Sequence, residues 1–320
     1  MNIKYIIIIL GEPYSIFSEI LGKYFSTVKK NEKKIIIIGN INLLKKQLEK
    51  LNYKIKINKI NKIHNANIEQ INIININYKF QKVFAGISKK SNKYIEDSFK
   101  KFFEINKLLK DKLILINGPV SKQTFLKKKY LGITEYLSNK SNSKNEVMLI
   151  YNNKLSVSPL TTHIPLKYVA KKINKNKIIK NTLEINNFYI KFLKKKPKIA
   201  ILGLNPHCET VDKFSEEEKI IKPAVKSLLS KNINIKGPFS ADTFFLKKNI
   251  KSYDVVIGMY HDQVLTPIKT LYKFNAINIT LGLPYVRISP DHGPNNSMIG
   301  MNISDPSSFF YAMRFIKKLK

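Results

Sequence analysis

The chain has 320 residues, 43% of them hydrophobic, which is enough for one large or two ordinary domains and excludes a disordered polymer. Its one cysteine, Cys208, excludes a disulfide framework and thiolate-rich zinc sites. A net charge of +35 invites a nucleic-acid reading, but only Arg287 and Arg314 among the 57 basic residues are arginine. The lysines are spread along solvated faces and connections, so no specific nucleic acid is expected as a partner.

In chain order, the run 5–10 reads as a first buried strand. It is too short for a secretory leader, stops at Glu12 and lacks a small-residue cleavage site. No stretch approaches the roughly 20 apolar residues of a spanning helix, so a cytoplasmic protein without a membrane partner is expected. Further strands are expected at 34–38, 112–116, 147–151, 155–159, 198–204, 254–259 and 276–280, with helix-length segments at 91–109 and 216–230. Ser215 can cap the second helix, Glu216, Glu217 and Glu218 suit its first turn, and Pro223 can divide it. This alternation predicts an α/β fold with two lobes, each a mostly parallel sheet with helices on both faces. The first lobe is expected over 1–125 plus 285–320, the second over 126–284.

Three motifs carry the chemistry. TTHIP, NPHCE and YHDQ place His163, His207 and His261 just past the carboxyl ends of three expected strands, the edge where open α/β sheets bind ligands. Neutral imidazole is a common ligand for divalent metals, and a three-histidine set leaves the open positions of a catalytic site. Asp262 and Glu209 adjoin two of the histidines and can orient them, whereas Cys208 reads as a small buried hydrophobe. INGPVSKQTF, at 116–125, is either an anion-binding turn or an ordinary strand–helix connection. Lys269, Asn278 and Arg287 recur at a spacing that suits successive strand ends. An arginine kept in a lysine-rich chain suggests a planar fork for phosphate or carboxylate, with a surface salt bridge as the alternative. G-x-G-x-x-G after the first strand, the P-loop and G-x-S-x-G are all absent.

These segments, with GEP at 11–13, G-x-TEYL, GP-x-x-ADT-x-F, N-x-TLGLP-x-x-R-x-SPDHG and DPSS, resemble the 4-hydroxythreonine-4-phosphate dehydrogenases of pyridoxal phosphate biosynthesis. The resemblance implies an isopropylmalate dehydrogenase-like fold, with the first lobe on the cofactor side and the second bearing the metal site and dimer contacts. It implies that His163, His207 and His261 bind one divalent metal (zinc, magnesium or cobalt) shared across a homodimer. Thr134, Lys269, Asn278 and Arg287 match positions that hold a phosphorylated substrate. Lys269, Asp242 and Asp262 fall among the catalytic residues, the two aspartates as alternative bases, and His292 and Gly293 fall on the cofactor side. The implied reaction is NAD- or NADP-dependent oxidation of 4-phosphooxy-L-threonine to a 3-oxo acid, which decarboxylates to 3-amino-2-oxopropyl phosphate.

The chain departs from the family at Ile133, where a substrate-binding histidine is usual, and at 294–302, where Ser297 replaces an acid in the loop that holds the adenosine half of the cofactor. These departures motivate two alternatives: a dehydrogenase of a four-carbon aldonate phosphate, or a catalytically weakened homologue.

Overall fold

The computed structural model describes residues 3–28, 32–109, 112–126, 129–130, 132–143, 145–208, 214–272, 276–290 and 293–319. Among them lie twelve strands. The first six are β1 (Tyr5–Ile9), β2 (Lys34–Gly39), β3 (Ile57–Lys59), β4 (Ile71–Asn75), β5 (Leu113–Asn117) and β6 (Val147–Tyr151). The others are β7 (Ser156–Thr161), β8 (Ile199–Leu202), β9 (Ile235–Phe239), β10 (Val255–Tyr260), β11 (Ile277–Leu281) and β12 (Val286–Ser289). The chain divides into two compact units, residues 1–144 with 283–320, and residues 145–282.

In the first unit the strand order is β3-β4-β2-β1-β5-β12, and every pair is parallel. β1 lies at the centre, with Ile8 opposite Ile37 on one side and Ile116 on the other. A continuous β-branched run such as IIII is what a strand covered on both faces requires, and all four isoleucines are buried. The helix Asn92–Leu109 lays Tyr94, Ile95, Phe99, Phe102 and Ile105 onto this core. Residues 126–144, expected in the second lobe, belong here instead. The helix Ile133–Lys140 buries Tyr136 and Leu137 in the same cluster as Phe99, and burial rather than composition sets the boundary.

In the second unit the order is β11-β6-β7-β10-β8-β9. β7, β10, β8 and β9 run parallel, while β6 is antiparallel to both β7 and β11. The helix His261–Tyr272 turns Val264, Leu265 and Ile268 into a core with Val157, Ala200, Leu202 and Val256. The expected helix at 216–230 is a π-turn, Glu217–Ile221, followed by an α-helix, Lys222–Leu229, with Pro223 in its first turn, where the missing N–H costs least. No helix among the described residues is long and apolar enough to cross a membrane.

Candidate active site

β7, β10 and β8 are neighbours and parallel, so their carboxyl ends open on one edge of the second unit. His163 follows β7 by two residues, His261 follows β10 directly, and His207 lies in the turn after β8. His163 (φ 32°), His207 (φ 58°) and Cys208 (φ 56°) all have left-handed backbones. Non-glycine residues adopt that region at a cost, and such outliers gather at functional sites.

The His163 and His261 rings lie 6.1 Å apart between centroids, tilted by 37°. Each of two histidines has a carboxylate neighbour: Asp262 Oδ1 is 2.6 Å from His261 Nδ1, and Asp242 Oδ2 is 3.6 Å from His207 Nδ1. The Ser240 hydroxyl donates to Asp242 Oδ1, as does the Thr243 N–H at 2.8 Å. The Ser240 bond, then the Thr243 N–H and His207, hold the Asp242 carboxyl below its ordinary acidity range despite an opposing desolvation cost. Glu209 lies outside the described residues. Cys208 is half-buried against Gly203, and burial raises its thiol, in keeping with a packing role.

The structure therefore brings together His163 and His261 and turns His207 toward Asp242. Among the described residues no three His, Cys, Asp or Glu side chains converge closely enough to close a cation site within one chain. The donor chemistry nevertheless fits a divalent metal. A carboxylate that accepts from Nδ1 fixes the imidazole tautomer and leaves Nε2 as the ligand atom.

Lys269 is exposed on the helix His261–Tyr272, and Asn278 and Arg287 are the second residues of β11 and β12. Their even spacing thus does not mark successive strand ends, because the helix continues past Pro267 and carries Lys269 with it. Asn278 is half-buried, and its Oδ1 is buried without a hydrogen-bond partner among the described residues.

Arg287 belongs to the first unit and is 1% exposed, so it is not a surface salt bridge. Its Nε donates to Asn117 Oδ1 at 2.7 Å and its Nη1 to Thr134 Oγ1 at 2.9 Å. Three motifs of the sequence thus meet at one guanidinium. Burial lowers its pKa to about 10, a value at which it remains cationic at neutral pH. Asn117 was not singled out from sequence, and its position at the end of a strand before Gly-Pro was the available signal. Ile133 packs against the hydrophobic cluster of Phe99 and Tyr136.

The turn after β5 leads into a pocket of about 410 Å³, lined by Asn117, Ser121, Lys122, Ile133, Ser289 and Gly293 among others. Gly293 is among the residues lining this pocket, while His292 lies outside the described residues. The GEP and NGP turns are tied together by Glu12 N–H to Pro119 O at 2.8 Å and Gly118 N–H to Ile9 O at 2.7 Å.

Parallel α/β units with polar side chains at the strand ends, and a buried arginine held by Asn117 and Thr134, are the setting in which α/β enzymes bind small ligands. The family model described as "Pyridoxal phosphate biosynthetic protein PdxA" matches residues 31–316, and the chain belongs to that family. It is 41% identical to a 4-hydroxythreonine-4-phosphate dehydrogenase of Sulfurihydrogenibium sp. (strain YO3AOP1), covering 98% of this chain and 97% of that protein. With the protein of the same name from Wigglesworthia glossinidia brevipalpis it shares 34% identity, over 94% of this chain and 92% of the relative. The fold matches the crystal structure of a 4-hydroxythreonine-4-phosphate dehydrogenase from Klebsiella pneumoniae with a TM-score of 0.84, at 24% identity and 98% coverage of both chains. The expected kind of enzyme is met: the chain is an oxidoreductase of a pyridoxal phosphate biosynthetic family.

Proposed function

We propose that the chain oxidises 4-phosphooxy-L-threonine with NAD or NADP, giving a 3-oxo acid that loses carbon dioxide to form 3-amino-2-oxopropyl phosphate. The observation that carries this reading is the joining of Arg287, Asn117 and Thr134 from three family motifs, in a chain 41% identical to an enzyme named for that substrate.

Arg287 takes an anionic end of the substrate through its planar fork, with Asn117 and Thr134 fixing its plane. Thr134, Lys269 and Asn278 complete the set of binding groups, and the unpartnered Oδ1 of Asn278 supplies an acceptor for a substrate N–H or O–H. His163, His207 and His261 are the residues that would hold a divalent metal, zinc, magnesium or cobalt. When bound, the metal supplies a Lewis acid and the nicotinamide a hydride acceptor. Asp262 and Asp242 orient the imidazoles and stand ready as acceptors for the hydroxyl proton. Gly293 and the turn bearing Ser121 and Lys122, which line one pocket, are assigned to the cofactor side, and the family resemblance assigns His292 there too. The enzyme acts in the cytoplasm as a homodimer whose subunits share the metal.

A second reading keeps the chemistry and changes the substrate to a four-carbon aldonate phosphate. Ile133 favours it, because a partly buried apolar side chain resting against the core and lining the pocket stands where the family has a hydrogen-bonding imidazole. Steady-state formation of reduced nicotinamide with each substrate separates the two, and a clear preference for the aldonate overturns the first. His207→Ala is expected to lose both bound metal and turnover. Survival of both would remove the histidines from the mechanism.

A further inference from the structure

Gln263 belongs to the YHDQ motif, yet the chemistry above gives it no part. It sits where the parallel ladder between β8 and β10 ends. Pairing runs Val255 with Ile199, Val256 with Ala200 and Ile257 with Ile201. Beyond that point β8 turns to its other neighbour, and the Gly203 N–H donates to Phe239 O at 2.9 Å. The Met259 N–H and the Gly203 carbonyl are then left across a widening gap. Gln263 closes it: its Oε1 accepts from Met259 N at 2.7 Å, and its Nε2 donates to Gly203 O at 2.7 Å. A carboxamide carries the donor and acceptor of a peptide unit, so the side chain acts as one more rung between strands that have parted.

The same Met259 is held on its other side. Its carbonyl accepts from the buried Thr161 hydroxyl at 2.7 Å. The residue two before His261 is therefore bound both to the residue two before His163 and to the residue four before His207. Room for the rung is made by glycine. A Cβ on Gly258 would stand 2.9 Å from Gln263 Oε1 and 2.4 Å from Val264 Cγ1. The turn to His207 is pinned separately by the fully buried Glu217. Its Oε1 accepts from Leu204 N at 2.7 Å and Asn205 N at 2.8 Å, and its Oε2 from Asn205 Nδ2 at 2.8 Å. Burial opposes its charge most strongly, but these N–H donors together outweigh it and leave the carboxyl more acidic than usual.

We propose that Gln263 is a positioning residue that fixes where the His207 turn and His261 stand at the strand ends, and so whether each can serve as a ligand of the cation. This rests on the metal reading given under Proposed function. Left-handed backbones at His163 and His207 persist only where the surroundings over-determine them, and the Gln263 rung is the restraint common to the β8 and β10 ends.

The test titrates metal-free protein with Co²⁺ and follows its visible absorption, with near-ultraviolet circular dichroism as the measure of native packing. Gln263→Ala removes both bonds, and Gln263→Glu keeps the acceptor and size but loses the donor to Gly203. Both variants are expected to keep the native dichroism and bind Co²⁺ roughly 10- to 100-fold more weakly, with an altered absorption band shape. Wild-type affinity and band shape in both would overturn the proposal. Loss of native dichroism in both would overturn it too, since the residue would then serve the fold as a whole. His207→Ala is the control for the underlying reading: if it binds Co²⁺ like the wild type, the metal assignment itself fails, and this inference falls with it.

Discussion

Arg287 and Glu12 are both buried charged residues of the first unit, and they behave in opposite ways. Arg287 stays cationic despite its burial because Tyr285 and Glu135 favour its charge, while Asn117 and Thr134 orient its guanidinium. Arg287→Lys keeps the charge and loses the fork. It is expected to lower kcat/KM by roughly 10- to 100-fold, the scale of a lost hydrogen bond to a charged group, mostly through KM. Initial rates over a substrate series check this, and an unchanged KM would remove Arg287 from substrate binding. Glu12 is 1% exposed, and its carboxyl is pushed up to about 7, chiefly by burial. The Ser91 hydroxyl and the Tyr14 N–H lower it in part, without closing a full hydrogen bond to either oxygen. Its folded value exceeds the ordinary 4.5, so the folded state binds the proton more tightly. The contribution is complete below about pH 4.5 and fades as pH rises through about 7, in total on the order of 3 kcal/mol. Urea denaturation of the wild type and of Glu12→Gln should therefore diverge across that window, the wild type losing stability relative to the variant as pH rises. Parallel curves would show the carboxylate to be solvated. Arg287 was legible in the sequence because arginine is rare in this chain. The burial of Glu12 was not, because a carboxylate after a strand reads as a turn residue until its neighbours are known.

At the scale of elements, most strands that sequence reasoning found carry apolar runs, although β7 (SVSPLT) and β11 (INITL) include polar residues. β1, β2, β5, β6, β7, β8, β10 and β11 all fall within a residue or two of expectation. β3 (INK), β4 (INIIN), β9 (IKGPF) and β12 (VRIS) were missed. In each a polar residue, glycine or proline interrupts the run, and its place in the sheet is supplied by a partner distant in sequence. Asn72 of β4 is an example: its amide donates to Ile35 O at 3.0 Å and to Asn67 O at 2.8 Å, so a residue that reads as a loop former is buried in a strand. The helix Ile41–Lys50 has a comparable hidden anchor. Asn40 caps it by accepting from Leu43 N at 2.9 Å, and its Nδ2 donates to Ile76 O, just past β4, also at 2.9 Å. Asn40→Ala removes a cap worth about 1 kcal/mol and leaves a carbonyl short of a partner, so a loss of roughly 2–3 kcal/mol is expected. Equilibrium denaturation measures it, and a loss under about 0.5 kcal/mol would mean water replaces both bonds.

At the scale of the whole molecule, the dominant fact is the imbalance of 57 basic against 22 acidic residues. Charge of this size does not specify a fold, but it sets a field in which the native state must exist. Several acidic groups are used locally and cannot offset that field at large. Glu217 is enclosed by N–H donors, Asp262 faces His261, and Asp242 faces Ser240 and His207. The lysines are left to repel one another across a surface with few counter-charges. An unfolded chain relieves this by expanding, so repulsion penalises the native state most at low ionic strength, where the screening length is about 30 Å at 0.01 M. At 0.15 M that length falls to about 8 Å, and repulsion between exposed lysines farther apart than this is largely screened. Thermal unfolding of the protein in potassium chloride from about 0.01 to 0.3 M is therefore expected to move upward. Relief of about 1 kcal/mol corresponds to roughly 2–4 °C in a chain of this order of size. Exposed ion pairs such as Lys93–Asp97 would shift the transition the other way, and they are individually weak. A melting temperature that stays flat or falls over this range would show that local pairing, not the summed lysine field, governs the charge contribution to stability.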